Sequence, residues 1–141
     1  TIQRIESFGQ LSSAIEGVPA LSIDAINQPI QVINFFGSWC PPCKAEHHYL
    51  IDLKEKTGVN IHGIAIKDHS LAVMRFLKDL GNPYATVSLE GKTTRQDFKL
   101  GAVPETFIIL GSKDVIYHHR GMITKAEYED IILPLINEFM D

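Results

Sequence analysis

The junction at residues 30–43 constrains this chain most. The apolar run Ile30–Phe36 (IQVINFF) is cut off by Gly37-Ser38-Trp39 and followed at once by Cys40-Pro41-Pro42-Cys43. A β-rich run of this kind reads as a strand covered on both faces. Proline suits the first turn of a helix, where its missing N–H has no intrahelical partner. From Cys43 to Lys56 the pattern is helical, with Tyr49, Leu50 and Leu53 as an apolar stripe and Gly58 as its end. The cysteine pair therefore sits at the carboxyl end of a strand and the amino end of a helix, the edge of an α/β sheet where chemistry collects.

The remaining elements extend this unit. Asn60–Ile66 alternates and reads as a second strand, and Ser70–Leu80 as a second helix with Leu71, Val73, Met74 and Leu77 inward, closed by Gly81-Asn82-Pro83. Thr93–Leu100 reads as a turn or two of helix. Glu105–Leu110 and Val115–His119, around Gly111-Ser112-Lys113-Asp114, read as an antiparallel hairpin. Ala126–Phe139 is a final helix with Thr124 as N-cap and Ile131, Leu135 and Phe139 on its inner stripe. Ahead of the first strong strand, the pattern predicts a helix over Phe8–Glu16, a strand over Ala20–Ile23 and a turn at Asn27–Pro29. The order is βαβ then ββα, so the expected fold class is α/β, a mixed central sheet flanked by helices on both faces.

Composition narrows the function. The 141 residues, 45% hydrophobic and 21% charged, suit one folded domain over residues 1–141, with 1–29 as an N-terminal extension. The formal charge is −4 and no basic run stands out, which speaks against nucleic acid as a partner. No apolar run approaches the ~18 residues of a membrane span. The chain begins at Thr1, with no charged-then-apolar leader, and reads as a mature or trimmed soluble domain. Two cysteines are too few for a disulfide framework or, alone, a zinc site.

What the pair can do follows from its position. At a helix N-terminus, unpaired N–H groups and the positive dipole end favour a thiolate, and such settings lower a cysteine pKa from about 8.5 to roughly 3.5–7.5. Cys40 is thus the candidate attacking thiolate. Cys43, one turn on and within disulfide reach, is the buried resolving thiol. The competing use is half of a zinc or copper site completed by histidine, with His47 on the same helix; the βαβ context favours redox use. Trp39 is expected to pack as a platform beside Cys40. His118 and His119, adjacent on the hairpin, should point to opposite faces, with metal binding there a minor alternative.

Three stretches carry a family likeness: Asn34–Leu50 (NFFGSWCPPCKAEHHYL), Leu80–Tyr84 (LGNPY) and Gly101–Phe107 (GAVPETF). With these the chain resembles the thioredoxin fold and, more narrowly, the membrane-anchored thiol:disulfide oxidoreductases of bacterial cytochrome c maturation (the CcmG/DsbE, TlpA-like type). The likeness runs from about residue 30 to near the C-terminus. It implies that Pro104 is a cis-proline facing the cysteines, with the Val103 backbone free to pair with an extended substrate segment. Pro41 and Pro42 support the active site in this scheme. Glu46 and Glu105 match acidic positions there, able to raise a cysteine pKa or relay a proton. Pro83 and Tyr84 are placed along the same side of the site. Asn34 stands where classical thioredoxins carry a buried acid, which moves any proton relay to other groups.

The resemblance implies an extracytoplasmic, periplasmic reductant, tethered to the inner membrane by an N-terminal segment outside this sequence. It would keep the haem-binding cysteines of apocytochrome c reduced, directly or through another maturation protein, and be recharged by a membrane thiol-disulfide donor. No cofactor and no metal are called for. Pro41-Pro42 places no histidine between the cysteines, which favours a reductant over an oxidant. The alternatives are a general extracytoplasmic reductase or oxidase of the same fold, and a copper chaperone on a thioredoxin scaffold.

Overall fold

The computed structural model describes residues 3–140; Thr1, Ile2 and Asp141, the ends of the expected 1–141 unit, lie outside them. Its centre is β3 (Ile30–Phe36), buried along its whole length. β3 pairs in parallel with β4 (Ile61–Ala65) and antiparallel with β6 (Glu105–Leu110). Outside these lie β5 (Tyr84–Leu89), parallel to β4, and β7 (Asp114–Arg120), antiparallel to β6. Two short strands complete the edges: β1 (Gln3–Arg4) on β7 and β2 (Ser12–Ser13) on β5. The order is β1-β7-β6-β3-β4-β5-β2, a mixed sheet of seven strands.

Side-chain alternation along β3 gives the sheet two cores. Ile30, Val32 and Phe36 face α1 (Pro41–Thr57), α2 (Ser70–Leu80) and the C-terminal helix. That last helix runs from α4 (Lys125–Glu127) through a π-helical turn (Tyr128–Ile132) into α5 (Leu133–Met140). Ile33 and Phe35 face the opposite way, into a cluster with Ile5, Phe8, Leu21, Ile26, Phe98 and Phe107. Phe98, just after the short α3 (Thr94–Asp97), meets Phe35 and Phe107 edge-on at 4.7 and 5.5 Å. The long helices thus share one face, while α3 and the N-terminal segment cover the other.

Several local expectations change. No helix forms over Phe8–Glu16. Gly9 and Gln10 take positive φ (78° and 58°), which breaks a helix, and Ser12 and Ser13 pair with Ser88 and Leu89 of β5. This lets Phe8 join one core and Ala14 the other. Ala20–Ile23 is not a strand; Leu21 is buried, and a 3-10 turn over Ile23–Ala25 follows. On α2 the buried residues are Val73, Phe76 and Leu77, whereas Leu71 and Met74 face outward. On the last helix Tyr128, Ile132 and Ile136 are buried and Ile131 is exposed. Leu135 and Phe139 of the expected stripe pack partly buried against the core, and Tyr128 donates its hydroxyl to Asp52 of α1. Thr124 caps as expected, accepting from the Glu127 amide. Residues 84–89 form a strand that the sequence pattern did not reveal.

A buried polar row ties the N-terminal segment to the sheet. His62 on β4 donates from Nδ1 to Thr86 Oγ1 (2.8 Å) and accepts at Nε2 from the Gln31 amide (2.7 Å). The Gln31 oxygen in turn accepts from the backbone of Asn27 (2.9 Å) and Gln28 (3.2 Å). Burial, aided by the Lys54 charge, pushes the His62 pKa down to about 4. The unfolded chain takes up this proton through pH 6.5 and the folded chain only near pH 4. Stabilisation from neutral His62 is therefore complete above pH 6.5 and lost as pH falls through 4. Denaturant unfolding at pH 7 and pH 4 is expected to show an acid-induced loss smaller in His62→Gln than in the parent by about 3 kcal/mol. Equal losses in the two proteins would contradict the assignment.

Candidate active site

The site forms where β3 stops. Ser38 at the break is clamped by Asp68, which accepts from its amide (2.6 Å) and its hydroxyl (2.8 Å). Trp39 is half-exposed; its indole N–H donates to the Ile66 carbonyl (3.0 Å) and its ring lies over Gly37, where a Cβ would approach it to 2.6 Å. These contacts fix the chain entering α1. Cys40 is the N-cap, and Pro41 and Pro42 form the first helical turn without leaving an orphan N–H.

Cys40 and Cys43 form a disulfide. Cys40 Sγ accepts from the Cys43 amide (3.3 Å), so the sulfur expected to ionise already lies on a helix-terminal N–H. Both residues are buried, 2% exposed each, so exposure does not distinguish an attacking from a resolving cysteine in the oxidised state. Position does. The Val103–Pro104 bond is cis, and the Val103 carbonyl lies 3.8 Å from Cys40 Sγ. Trp39, Ile66, Lys67, Arg95 and residues 100–103 line a groove that includes Val103.

A polar network lies behind the pair. Glu46, one turn beyond Cys43 on the buried side of α1, accepts from Asn34 Nδ2 (3.0 Å) and from the Ile123 amide (2.9 Å). Asn34 Nδ2 also donates to Thr106 Oγ1 (3.1 Å), and Asn34 Oδ1 accepts from the Tyr84 hydroxyl (2.8 Å). Burial pushes the Glu46 pKa up to about 7, overriding the two donors that favour its carboxylate. Burial, with the Glu46 charge, raises the Tyr84 phenol well above its ordinary range, leaving it a donor. The Tyr84 ring stacks on Phe36 (5.2 Å) and fits because residue 63 is glycine; a Cβ there would meet it at 2.8 Å.

The sequence singles out Glu46 and Asn34, but not the Ile123 amide that donates to Glu46 or the Thr106 hydroxyl that accepts from Asn34. The place of Glu46 was legible in the helical spacing of Cys43, Glu46, Leu50 and Leu53, all buried on one face. His47 lies on that face too, its Nε2 against the Gly81 carbonyl (2.8 Å), rather than on a solvated one. Glu105 does not join the network. It shares a β6 face with Phe107 and Ile109, opposite Thr106 and α1, and accepts from the amides of Gly101 (2.8 Å) and Ala102 (3.2 Å). Pro83 precedes β5, and its neighbour Tyr84 reaches the network by donating to Asn34. His118 meets Glu105 and His119 meets Glu127; among the described residues no cluster of three or more metal-ligating side chains forms.

This geometry has counterparts. The Redoxin family model matches residues 20–132. A thiol:disulfide interchange protein DsbE homolog of Paracoccus denitrificans (strain Pd 1222) is 32% identical over 124 residues, covering 86% of this chain and 68% of the relative. The thiol:disulfide interchange protein DsbE of Escherichia coli (strain K12) is 32% identical over 145 residues, covering 92% and 78%. Among solved structures, a thioredoxin-family thiol:disulfide interchange protein from Chlorobium tepidum TLS matches with a TM-score of 0.77 at 20% identity, over 99% of this chain and 98% of its own. That likeness shows the fold, the thioredoxin fold. The two relatives and the family model show the rest: the chain belongs to the Redoxin family and, within it, to the DsbE thiol:disulfide interchange proteins, and it is a thiol:disulfide oxidoreductase.

Proposed function

We propose that the protein is an extracytoplasmic, periplasmic disulfide reductant serving cytochrome c maturation, with the Cys40–Cys43 pair as its redox centre. The observation that carries this reading is the juxtaposition of Cys40 Sγ, at the first turn of α1, with the Val103 carbonyl on the cis-proline loop, 3.8 Å away. An extended segment pairing with the Val103 backbone would bring its own disulfide onto Cys40. Haem-attachment segments of apocytochrome c, C-x-x-C-H in an unfolded chain, are extended and oxidisable. They fit this mode directly, as does a maturation protein that carries their cysteines.

In the reduced protein the Cys40 thiolate attacks one sulfur of the substrate disulfide. That bond breaks, and the other substrate sulfur leaves as a thiolate that takes a proton from solvent. Cys43 then attacks Cys40 Sγ, the mixed disulfide breaks, and the second substrate thiol is released. Two electrons have moved to the substrate, and the Cys40–Cys43 disulfide is reduced again by a membrane thiol-disulfide donor. For the second attack Cys43 must lose its proton. Glu46, one turn away and held between ionised and neutral near pH 7, is the acceptor. Trp39, Pro41 and Pro42 support the site by fixing the helix entry.

Two outcomes test the reading. A Cys43→Ser variant, reduced and mixed with an oxidised C-x-x-C-H peptide, is expected to accumulate a peptide–protein mixed disulfide through Cys40, seen by mass spectrometry. Cys40→Ser is expected to form none, and adducts chiefly through Cys43 would reverse the assignment. Glu46 accepts a proton only when ionised, so the rate of mixed-disulfide resolution should rise as pH increases through about 7. In Glu46→Gln that inflection should vanish, with resolution at pH 8 slowed about 100-fold. An unchanged pH profile in the variant would remove Glu46 from the relay.

A further inference from the structure

Glu105 is buried, with 2% of its side chain exposed, and its three nearest polar partners lie outside the cysteine network. Oε2 accepts from Gly101 and Ala102, the two residues ahead of Val103. Oε1 accepts from Nε2 of His118 on β7 at 2.6 Å. His118 is itself fixed, its ring stacked on Phe107 at 3.9 Å and 15°. Arg120 reinforces the arrangement from the rim, 3.8 Å from Glu105 Oε1 and donating to the Lys99 carbonyl (3.3 Å). A line of contacts thus runs from the hairpin through Glu105 into the loop whose next residue faces Cys40 Sγ.

We propose that His118 is a positioning residue: by orienting Glu105 it latches the Gly101–Ala102 backbone and so sets the Val103 carbonyl where substrate is received. This rests on the reading that substrate pairs with the Val103 backbone. Three features support it. A carboxylate that accepts two adjacent backbone N–H groups defines the loop's path, and holding its other oxygen as well restricts its orientation further. The imidazole is clamped between Phe107 and Glu105, so it holds that oxygen at little further entropic cost. Space is also limited, since a Cβ at Gly101 would lie 3.2 Å from the Arg120 guanidinium and 3.6 Å from Glu105 Oε2. The latch acts on substrate capture and leaves the sulfur chemistry to Cys40, Cys43 and the network behind them.

The test compares His118→Phe, which keeps a ring against Phe107 and loses the donor, with His118→Gln, whose amide nitrogen restores one. Amide hydrogen exchange is expected to be about tenfold faster at Gly101 and Ala102 in His118→Phe, with β3 amides unchanged, and to return towards the parent rate in His118→Gln. In single-turnover reduction of an excess of an oxidised C-x-x-C-H peptide, the half-saturating concentration should rise about tenfold in His118→Phe. The limiting rate should stay within twofold, and His118→Gln should recover most of the loss. Unchanged exchange at Gly101 and Ala102, or equal acceleration in β3, overturns the latch. Faster exchange at the two amides with unchanged half-saturation overturns the substrate-pairing reading and, with it, the role of His118 in the reaction.

Discussion

Most of the functional end of this molecule depends on one buried amide. Asn34 is on the central strand, fully inaccessible, with its oxygen accepting from Tyr84 and its nitrogen donating to Glu46 and Thr106. Through these bonds β3, α1, β5 and β6 are tied together beneath the cysteines, and through Glu46 the turn at Ile123 is tied in as well. An unpaired polar group at this depth would cost a large share of a domain's stability. The network therefore specifies one arrangement of the elements that carry Cys43, Tyr84 and the cis-proline loop. It also keeps an acid beside the redox pair whose charge can change near neutral pH, since burial outweighs its two hydrogen-bond donors and raises its pKa to about 7.

The two faces of the sheet divide the work. On the α1 face lie the helix N-terminus, the sulfur pair and Glu46, to which the proposed mechanism assigns the chemistry. On the other, Glu105 shapes the loop opposite Cys40, and the N-terminal segment closes the core around Phe35, Phe98 and Phe107. Alternation along β6 makes this division possible, as Glu105 and Thr106 are neighbours in sequence yet serve opposite faces. Two carboxylates that look equivalent in the sequence thus reach different environments. Glu46 is packed where desolvation raises its pKa, while Glu105 is bound by backbone amides and an imidazole.

Much of this was legible in the sequence. Ile30–Phe36 is fully apolar but for Gln31 and Asn34, and two prolines follow it, so strand, break and helix were fixed by local chemistry. The hairpin and α2 were equally local. What could not be read depends on partners distant in the chain. Ser12 and Ser13 are poor strand formers alone and become a strand because the β5 edge is beside them. On α2 and the last helix, apolar residues occupy more than one face, so only tertiary contacts choose which face turns inward. The Pro104 geometry came from family likeness, and the burial of Glu46 could have come from its i, i+3 relation to Cys43. The partners Ile123 and His118 lie 77 and 13 residues from their carboxylates and left no local signal.

The central claim is that this redox pair delivers electrons to substrate rather than removing them. Its most direct test is the equilibrium reduction potential of Cys40–Cys43 in glutathione or dithiothreitol buffers. The account predicts a value near the thioredoxin end of the scale, roughly −270 mV. A value near the strong-oxidant end, roughly −120 mV, would mean that the protein makes disulfides and would contradict the account.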